Sequence, residues 1–160
     1  MLKAIYPGSF DPITLGHLDI ISRASKIYDV VYVALMVNPN KKYSFPLEER
    51  KAMIEKCIKD YSNVEVIIGE GLTVDLANKL GCKAMIRGIR ATSDYESELS
   101  LATANMTLNS EIETLLFIAK PELSFLSSSI AKEIASYGRD ISSIIPEPII
   151  KDVEKRFLNK

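Results

Sequence analysis

The chain carries one histidine, two cysteines and almost no net charge, and each scarcity narrows what it can do. With 20 lysines and arginines against 21 aspartates and glutamates, the net charge is −1. There is no electrostatic footprint for bulk nucleic acid, so basic groups must act locally on a small partner. Cys57 and Cys82 lie in apolar-periodic segments without metal-ligand spacing, which reads as two reduced core thiols in a reducing compartment. No apolar run reaches the ~18 residues of a membrane helix, and the first residues enter a strand without a signal-peptide layout. The expectation is a cytoplasmic protein with no membrane and no nucleic-acid partner. No G-x-G-x-x-G follows the first strand and no G-x-x-x-x-G-K-[ST] occurs, so a redox dinucleotide enzyme and a P-loop ATPase both lose support. No repeat, linker or low-complexity stretch divides the 160 residues, a length that suits one domain, 1–160.

What is present is organised around Pro7-Gly8-Ser9-Phe10-Asp11-Pro12-Ile13-Thr14-Leu15-Gly16-His17. A short apolar strand over 2–6 runs into this loop. Ile20, Ile21, Ala24, Ile27 and Tyr28 then recur at helical spacing, so a helix starts near Gly16 with its unpaired N–H groups facing the loop. Gly8 and Gly16 let the backbone approach a ligand, and His17 falls in the first helical turn, able to donate a ring N–H to a phosphate lying there. Taken alone, a single histidine after a turn is an ordinary helix residue.

Downstream, strands and helices alternate. The apolar, β-branched run 30–37 is a strand covered on both faces, and the polar loop after it carries Lys41 and Lys42 where open α/β sheets bind ligands. A helix follows, with Pro46, Glu48 and Glu49 in its first turn and Leu47, Ile54, Cys57, Ile58 and Tyr61 as its buried face. Residues 64–68 form a third strand. A helix over 73–80 comes next, opened by Thr73 as a cap and closed by Gly81. The fourth strand, 83–86, runs directly into Arg87-Gly88-Ile89-Arg90, two guanidinium forks around a glycine at the edge where phosphates bind.

Ser93 to Glu96 fits a capping box for a helix over 94–109. Asp94 and Glu98 share one face of it at i,i+4, a repulsion that Arg87, Arg90 or Mg²⁺ would relieve. A fifth strand spans 114–119. Ser127-Ser128-Ser129 then opens a helix bearing Ile130, Ile134 and Tyr137 and stopped by Gly138. One serine there would be a cap, whereas three after a phosphate loop favour an anion nest. Ile150, Val153 and Phe157 mark a closing amphipathic helix. The fold class is α/β: an open five-stranded parallel sheet, Rossmann-like, with helices on both faces and all candidate sites on one rim.

Gly-Ser-Phe-Asp-Pro with Thr-x-Gly-His resembles the start of nucleotidyltransferases that carry a His/Thr-x-Gly-His signature. The threonine form, with Lys41-Lys42, Arg87-Gly-Ile-Arg90 and the serine triplet, is similar to the bacterial phosphopantetheine adenylyltransferase family over nearly the whole chain. That resemblance implies adenylyl transfer from ATP to 4′-phosphopantetheine, giving dephospho-coenzyme A and pyrophosphate. It implies His17 as the catalytic residue at the α-phosphate. It places Ser9, Phe10, Gly88, Ile89, Arg90, Glu98, Leu123, Ser124, Phe125, Leu126, Ser127, Ser128 and Ser129 at the nucleotide, and Ser9, Lys41, Thr73 and Arg87 at the acceptor. Leu123 stands where many members have an aromatic residue, which implies a lost stacking contact. Mg²⁺ is expected on the ATP phosphates with no protein ligands, and relatives imply a homohexamer. The rivals are a nucleotidyltransferase for another phosphorylated acceptor, which the Thr14 form disfavours, and a non-catalytic nucleotide sensor, which would need no second anion site.

Overall fold

The computed structural model describes residues 1–158. Its strands are β1 (Lys3–Gly8), β2 (Val30–Met36), β3 (Val64–Gly69), β4 (Ala84–Ile89) and β5 (Glu113–Ile118). Between and after them lie α1 (Leu15–Ala24), α2 (Leu47–Ile58), α3 (Thr73–Lys79), α4 (Thr92–Leu108), α5 (Ser128–Ser136) and α6 (Ile150–Leu158). The strands form a single parallel sheet in the order β3-β2-β1-β4-β5, so the chain reverses its direction of travel between β1 and β4.

Period-two alternation sorts the core into two layers. Ala4 and Tyr6 of β1 join Val31, Val33, Leu35 and Ile86 against Ile20 and Ile21 of α1, Met53 and Ile54 of α2, Ala131 of α5 and Val153 of α6. Ile5, between them, points the other way with Ala34 and Met85 onto Val74 and Ala77 of α3. Each fully buried isoleucine contributes about 1.5–3 kcal/mol relative to exposure. On the second face α4 packs thinly, with Asn105 as its buried residue, donating from Nδ2 to the Met85 sulfur at 3.5 Å.

Several boundaries differ from the sequence reading, each for a local reason. β1 continues through Pro7 and Gly8 because β2 pairs with it as far as Gly8↔Leu35. β4 likewise takes in Arg87, Gly88 and Ile89, since β5 pairs out to Ile89↔Ile118. The capping box expected at Ser93 does not form. Ala91 is the N-cap without a side-chain bond, and the Asp94 carboxylate is drawn back to Arg90 instead. Thr73 does not cap α3 either: the chain is still extended at Leu72, the N-cap, and Thr73 is already helical. Pro46 stands at the N-cap of α2, one residue before its first turn. Tyr137, assigned to the apolar face of α5, is exposed beyond the end of that helix, where Gly138 turns the chain with φ +66°.

Candidate active site

The cleft begins as a split in the sheet. β1 pairs with β2 over six residues but with β4 only at Ala4↔Ala84 and Ile5↔Met85, so the C-terminal halves of β1 and β4 diverge. Pro7, which has no N–H to give a neighbour, lies where that pairing has ceased. The opening is a cavity of about 280 Å³ lined by Gly8, Phe10, His17, Arg87, Gly88, Arg90 and Ser128 among others, at the topological switch point of the sheet.

His17 is held by the start of α1. Thr14 is its N-cap, and the two residues make a reciprocal capping box. The His17 N–H donates to Thr14 Oγ1 at 3.3 Å, while the Thr14 N–H donates to His17 Nδ1 at 3.0 Å. Histidine here fills the position usually taken by Glu or Gln. Because Nδ1 is an acceptor, a neutral ring carries its proton on Nε2, the nitrogen free of the cap. Burial, with the nearby Arg90 charge adding to it, lowers the His17 pKa from 6.5 to about 4, so the ring is neutral at physiological pH. Phe10 packs edge-on against it with ring centroids 5.1 Å apart, and holds a φ of +45°, a left-handed conformation unusual for a bulky residue.

The two arginines meet two of the three acids of α4, Asp94 and Glu98. Arg87 Nε and Nη2 donate to Glu98 Oε2 and Oε1 at 2.7 and 2.8 Å, a bidentate pair, and Nη1 donates to the Pro7 carbonyl at 3.1 Å across the split. The Glu98 contact raises the pKa of Arg87 despite its burial. Arg90 Nη1 donates to the Leu126 carbonyl at 2.6 Å, and its backbone N–H and Nε both donate to Asp94 Oδ2. Those bonds, the backbone one foremost, hold the Asp94 carboxyl below its usual range. The i,i+4 acids are thus relieved by the arginines that the sequence offered for it. Gly88 lies between them, and a Cβ there would stand 2.5 Å from Ile20 Cδ1, so glycine lets α1 close on β4.

The serine triplet divides its work. Ser127 caps α5, accepting from the Ile130 N–H at 3.1 Å. Ser128 Oγ donates to the Pro12 carbonyl at 2.7 Å, tying α5 to the loop after β1. Leu123, Leu126, Ser127 and Ser128 line the cavity; Ser124, Phe125 and Ser129 do not, and Phe125 is exposed. Ile89 lines it at the end of β4.

On the other side of the loop Lys41 Nζ donates to Ser9 Oγ at 2.9 Å, so the segment after β2 meets the segment after β1. Thr73, at the start of α3, is outside the cavity lining. Two residues that the sequence reading passed over hold this junction. Asp11 is buried and accepts from the Ser44 and Phe45 N–H groups at 2.9 Å each and from Lys132 Nζ at 3.3 Å. Arg50 is buried too, donating from Nε to the Phe45 carbonyl at 3.1 Å and from Nη1 to the Ser9 carbonyl at 2.8 Å. A signal for Arg50 existed: it sits three residues after Leu47 and four before Ile54, on the buried face of α2.

A cytidylyltransferase-like family profile matches residues 5–134. The chain is 54% identical over 158 residues to a phosphopantetheine adenylyltransferase of Finegoldia magna, covering 99% of this chain and 98% of that protein. It is 50% identical over 160 residues to one of Lachnoclostridium phytofermentans, covering 100% and 98%. Its fold is shared with a Plasmodium falciparum nicotinic acid mononucleotide adenylyltransferase complexed with NaAD, at a TM-score of 0.69 and 20% identity, covering 99% of this chain and 98% of that one. The split sheet and its loop are therefore those of a nucleotidyltransferase of the cytidylyltransferase-like family. Within that class, the chain belongs to the phosphopantetheine adenylyltransferase family.

Proposed function

We propose that the cleft transfers the adenylyl group of ATP to 4′-phosphopantetheine, forming dephospho-coenzyme A and releasing pyrophosphate. The observation that carries this reading is that one loop has a group able to meet an anion on each side: His17 with Arg90 lining the cavity, and Lys41 on Ser9 towards the segment after β2. Two such sites suit a donor and an acceptor, where a nucleotide sensor would need one. A phosphomonoester has a second pKa near ~6, so the attacking oxygen is already anionic and no strong base is required. A neutral His17 matches that demand, because it is asked to donate Nε2–H to the α-phosphate rather than to accept a proton.

The acceptor oxygen bonds to the α-phosphorus as the bond to the β-phosphate bridging oxygen breaks, with both partners in line. Lys41 and Arg87 bind and orient the acceptor phosphate. Arg90 and the start of α5, with Ser127 and Ser128, hold the triphosphate. Ser9 and Phe10 serve the join, and Gly88, Ile89 and Glu98 form the floor and wall. Leu123, Ser124, Phe125 and Leu126 border the nucleotide from the segment before α5 and Ser129 from its first turn, and Thr73 contacts the far arm of the acceptor. Mg²⁺ carried by the ATP phosphates would supply charge compensation for the pyrophosphate, and the residues of the wall would not need to ligate it. Asp94 and Glu98, the acids of the wall, are engaged by Arg90 and Arg87, which supports that route.

The protein works as a homohexamer in the cytoplasm. Leu99, Met106 and Leu108 on α4, with Ile118 on the edge strand β5, expose apolar surface suited to subunit contacts. Cys57 and Cys82 are unpaired thiols whose pKa values burial pushes up to about 11, consistent with reduced core residues. The test is Mg-ATP supplied with 4′-phosphopantetheine, nicotinamide mononucleotide or glycerol phosphate in turn, with pyrophosphate and product mass measured. Turnover on phosphopantetheine alone is expected; turnover only on another acceptor, or nucleotide binding without turnover, overturns the reading.

A further inference from the structure

Among the described residues, Arg50 is the buried cation whose position the nucleotide site does not explain. It leaves the first turn of α2 and points inward, 2% exposed, between two loops that come from different strands. Its Nη1 reaches the Ser9 carbonyl after β1, and its Nε reaches the Phe45 carbonyl after β2. Its guanidinium stacks 3.8 Å from the Tyr43 ring centroid. Tyr43 in turn accepts on its hydroxyl from the Asn38 N–H at 3.2 Å, and its ring lies 5.6 Å from Lys41 Nζ. The arginine therefore touches both ends of the path to Lys41: Ser9, whose hydroxyl accepts from that lysine, and the ring beside which the lysine lies.

Asp11 closes the same junction from beneath, through the Ser44 and Phe45 N–H groups. Residues 38–42 are exposed; the turn bond from the Lys41 N–H to the Asn38 carbonyl at 3.1 Å orders their backbone, but the ammonium on its flexible stem is fixed only as firmly as the Ser9 hydroxyl and the Tyr43 ring it lies against. A planar guanidinium that bonds two carbonyls and stacks on a ring supplies that fixity, and a lysine, with a compact ammonium on a flexible stem, cannot do all three. We propose that Arg50 is a positioning residue that sets Lys41 against Ser9, and with it the geometry of the acceptor phosphate. It touches neither substrate. The assignment rests on the reading that Lys41 binds that phosphate.

The test uses Arg50→Lys, which retains the buried charge and leaves Tyr43 in place, and Tyr43→Leu, which leaves Arg50 and both carbonyls in place but removes the stacking face together with the hydroxyl bonded to the Asn38 N–H. For Arg50→Lys the KM for 4′-phosphopantetheine should rise roughly 10–100-fold, the scale on which misplacement of about 1 Å acts. KM for ATP should stay within about twofold, and Tyr43→Leu should show the same acceptor-selective change in smaller degree. A merely structural role would raise both KM values together, and that result, or an unchanged acceptor KM, overturns the proposal. Amide hydrogen exchange over 38–45 in the ligand-free protein gives an independent readout. It should accelerate in Arg50→Lys, which leaves the bond between Tyr43 and the Asn38 N–H untouched, if Arg50 holds the segment, and unaltered exchange there overturns the positioning role even if the wild type turns over a different acceptor. Inactivity of the wild type on phosphopantetheine would instead count against the function, with exchange still deciding the role of Arg50.

Discussion

Two of the helices that start at the cleft, α1 and α4, are built in opposite ways. α1 caps itself: Thr14 and His17 satisfy each other's backbone N–H groups, and Ile20, Ile21 and Ala24 then bury its face. α4 has no side-chain cap, and it buries Asn105 but none of its large apolar residues. Its polar groups go instead to the site, Asp94 to Arg90 and Glu98 to Arg87. At α1 a stabilising device doubles as a chemical one, because the cap bond that secures the helix also selects the tautomer of His17. At α4 the groups that could have stabilised the helix orient cations, and its attachment to the rest of the molecule rests on those pairs together with the Asn105–Met85 contact.

The strongest way to break this contrast is at His17. His17→Ala removes the cap partner and the Nε2–H donor together, and should lower kcat by roughly 10²–10³, the usual loss for one donor to a developing oxyanion. His17→Gln restores the side chain that capping boxes ordinarily use at that position. Its urea midpoint should return close to that of the wild type while kcat stays well below it. If the Gln variant regains full kcat, the imidazole has no chemical role beyond the cap.

A somewhat smaller effect follows from the charge of the same ring. The folded pKa of about 4 lies below the ordinary value of 6.5, so the unfolded chain takes up the proton first as pH falls. The contribution of neutral His17 to stability is complete above about pH 6.5 and drains away towards pH 4. At pH 4.5 the wild type should have lost about 2–3 kcal/mol more than His17→Gln relative to pH 7.5. Parallel stability profiles for the two proteins would show that the ring is charged, or equally solvated, in the folded state. Since the reaction uses a neutral donor, kcat should not require protonation of a group near pH 6.5.

For α4 the corresponding lesion is Glu98→Gln. The side chain of Arg87 is three-quarters buried, and the change would leave it with the Pro7 carbonyl and a neutral amide in place of a bidentate carboxylate. A stability loss of about 1.5–3 kcal/mol in urea unfolding is expected, the range for hydrogen bonds to charged groups. A loss below about 0.5 kcal/mol would mean that α4 is held by something other than its pair with β4.

The sequence disclosed those features in which local pattern and tertiary structure agree. Apolar runs gave all five strands, and the Thr14-x-Gly16-His17 stretch located both the start of α1 and the ring that faces the cavity. It misplaced features decided by a distant partner. Ser93 reads as a cap because its neighbours fit the pattern, but Asp94 answers to an arginine on the preceding strand. Ser128 lines the cavity, and what its place in the triplet did not disclose is the bond from its hydroxyl to the Pro12 carbonyl, 116 residues away in sequence. Asp11 and Arg50 were passed over for a related reason. A charge among apolar positions reads as a solvated residue until a fold supplies carbonyls and N–H groups to meet it. That Ser9 and Lys41 lie in the loops after the first two strands, on one rim, was legible in the sequence, while the pairing of β1 with β2 that makes those loops neighbours and the 2.9 Å contact between the two side chains were not.

The smallest expected effect sharpens the contrast most directly. If α4 truly starts without a side-chain cap, Ser93→Ala should change stability by less than about 0.5 kcal/mol, the range for surface positions outside special features. Thr14→Ala at the start of α1 should instead cost about 1–2 kcal/mol, as the loss of a working cap does. Ser93 Oγ has no bond to an N–H in the first turn, and its carbonyl simply accepts from Ser97 Oγ one turn on, a contact that alanine preserves. Alanine is also the better helix former, so the sign for Ser93→Ala could be slightly stabilising. Measured by urea unfolding under one set of conditions, equal losses at the two sites would show that Ser93 caps α4 in solution. Asp94 would then be free of the task assigned to it beside Arg90.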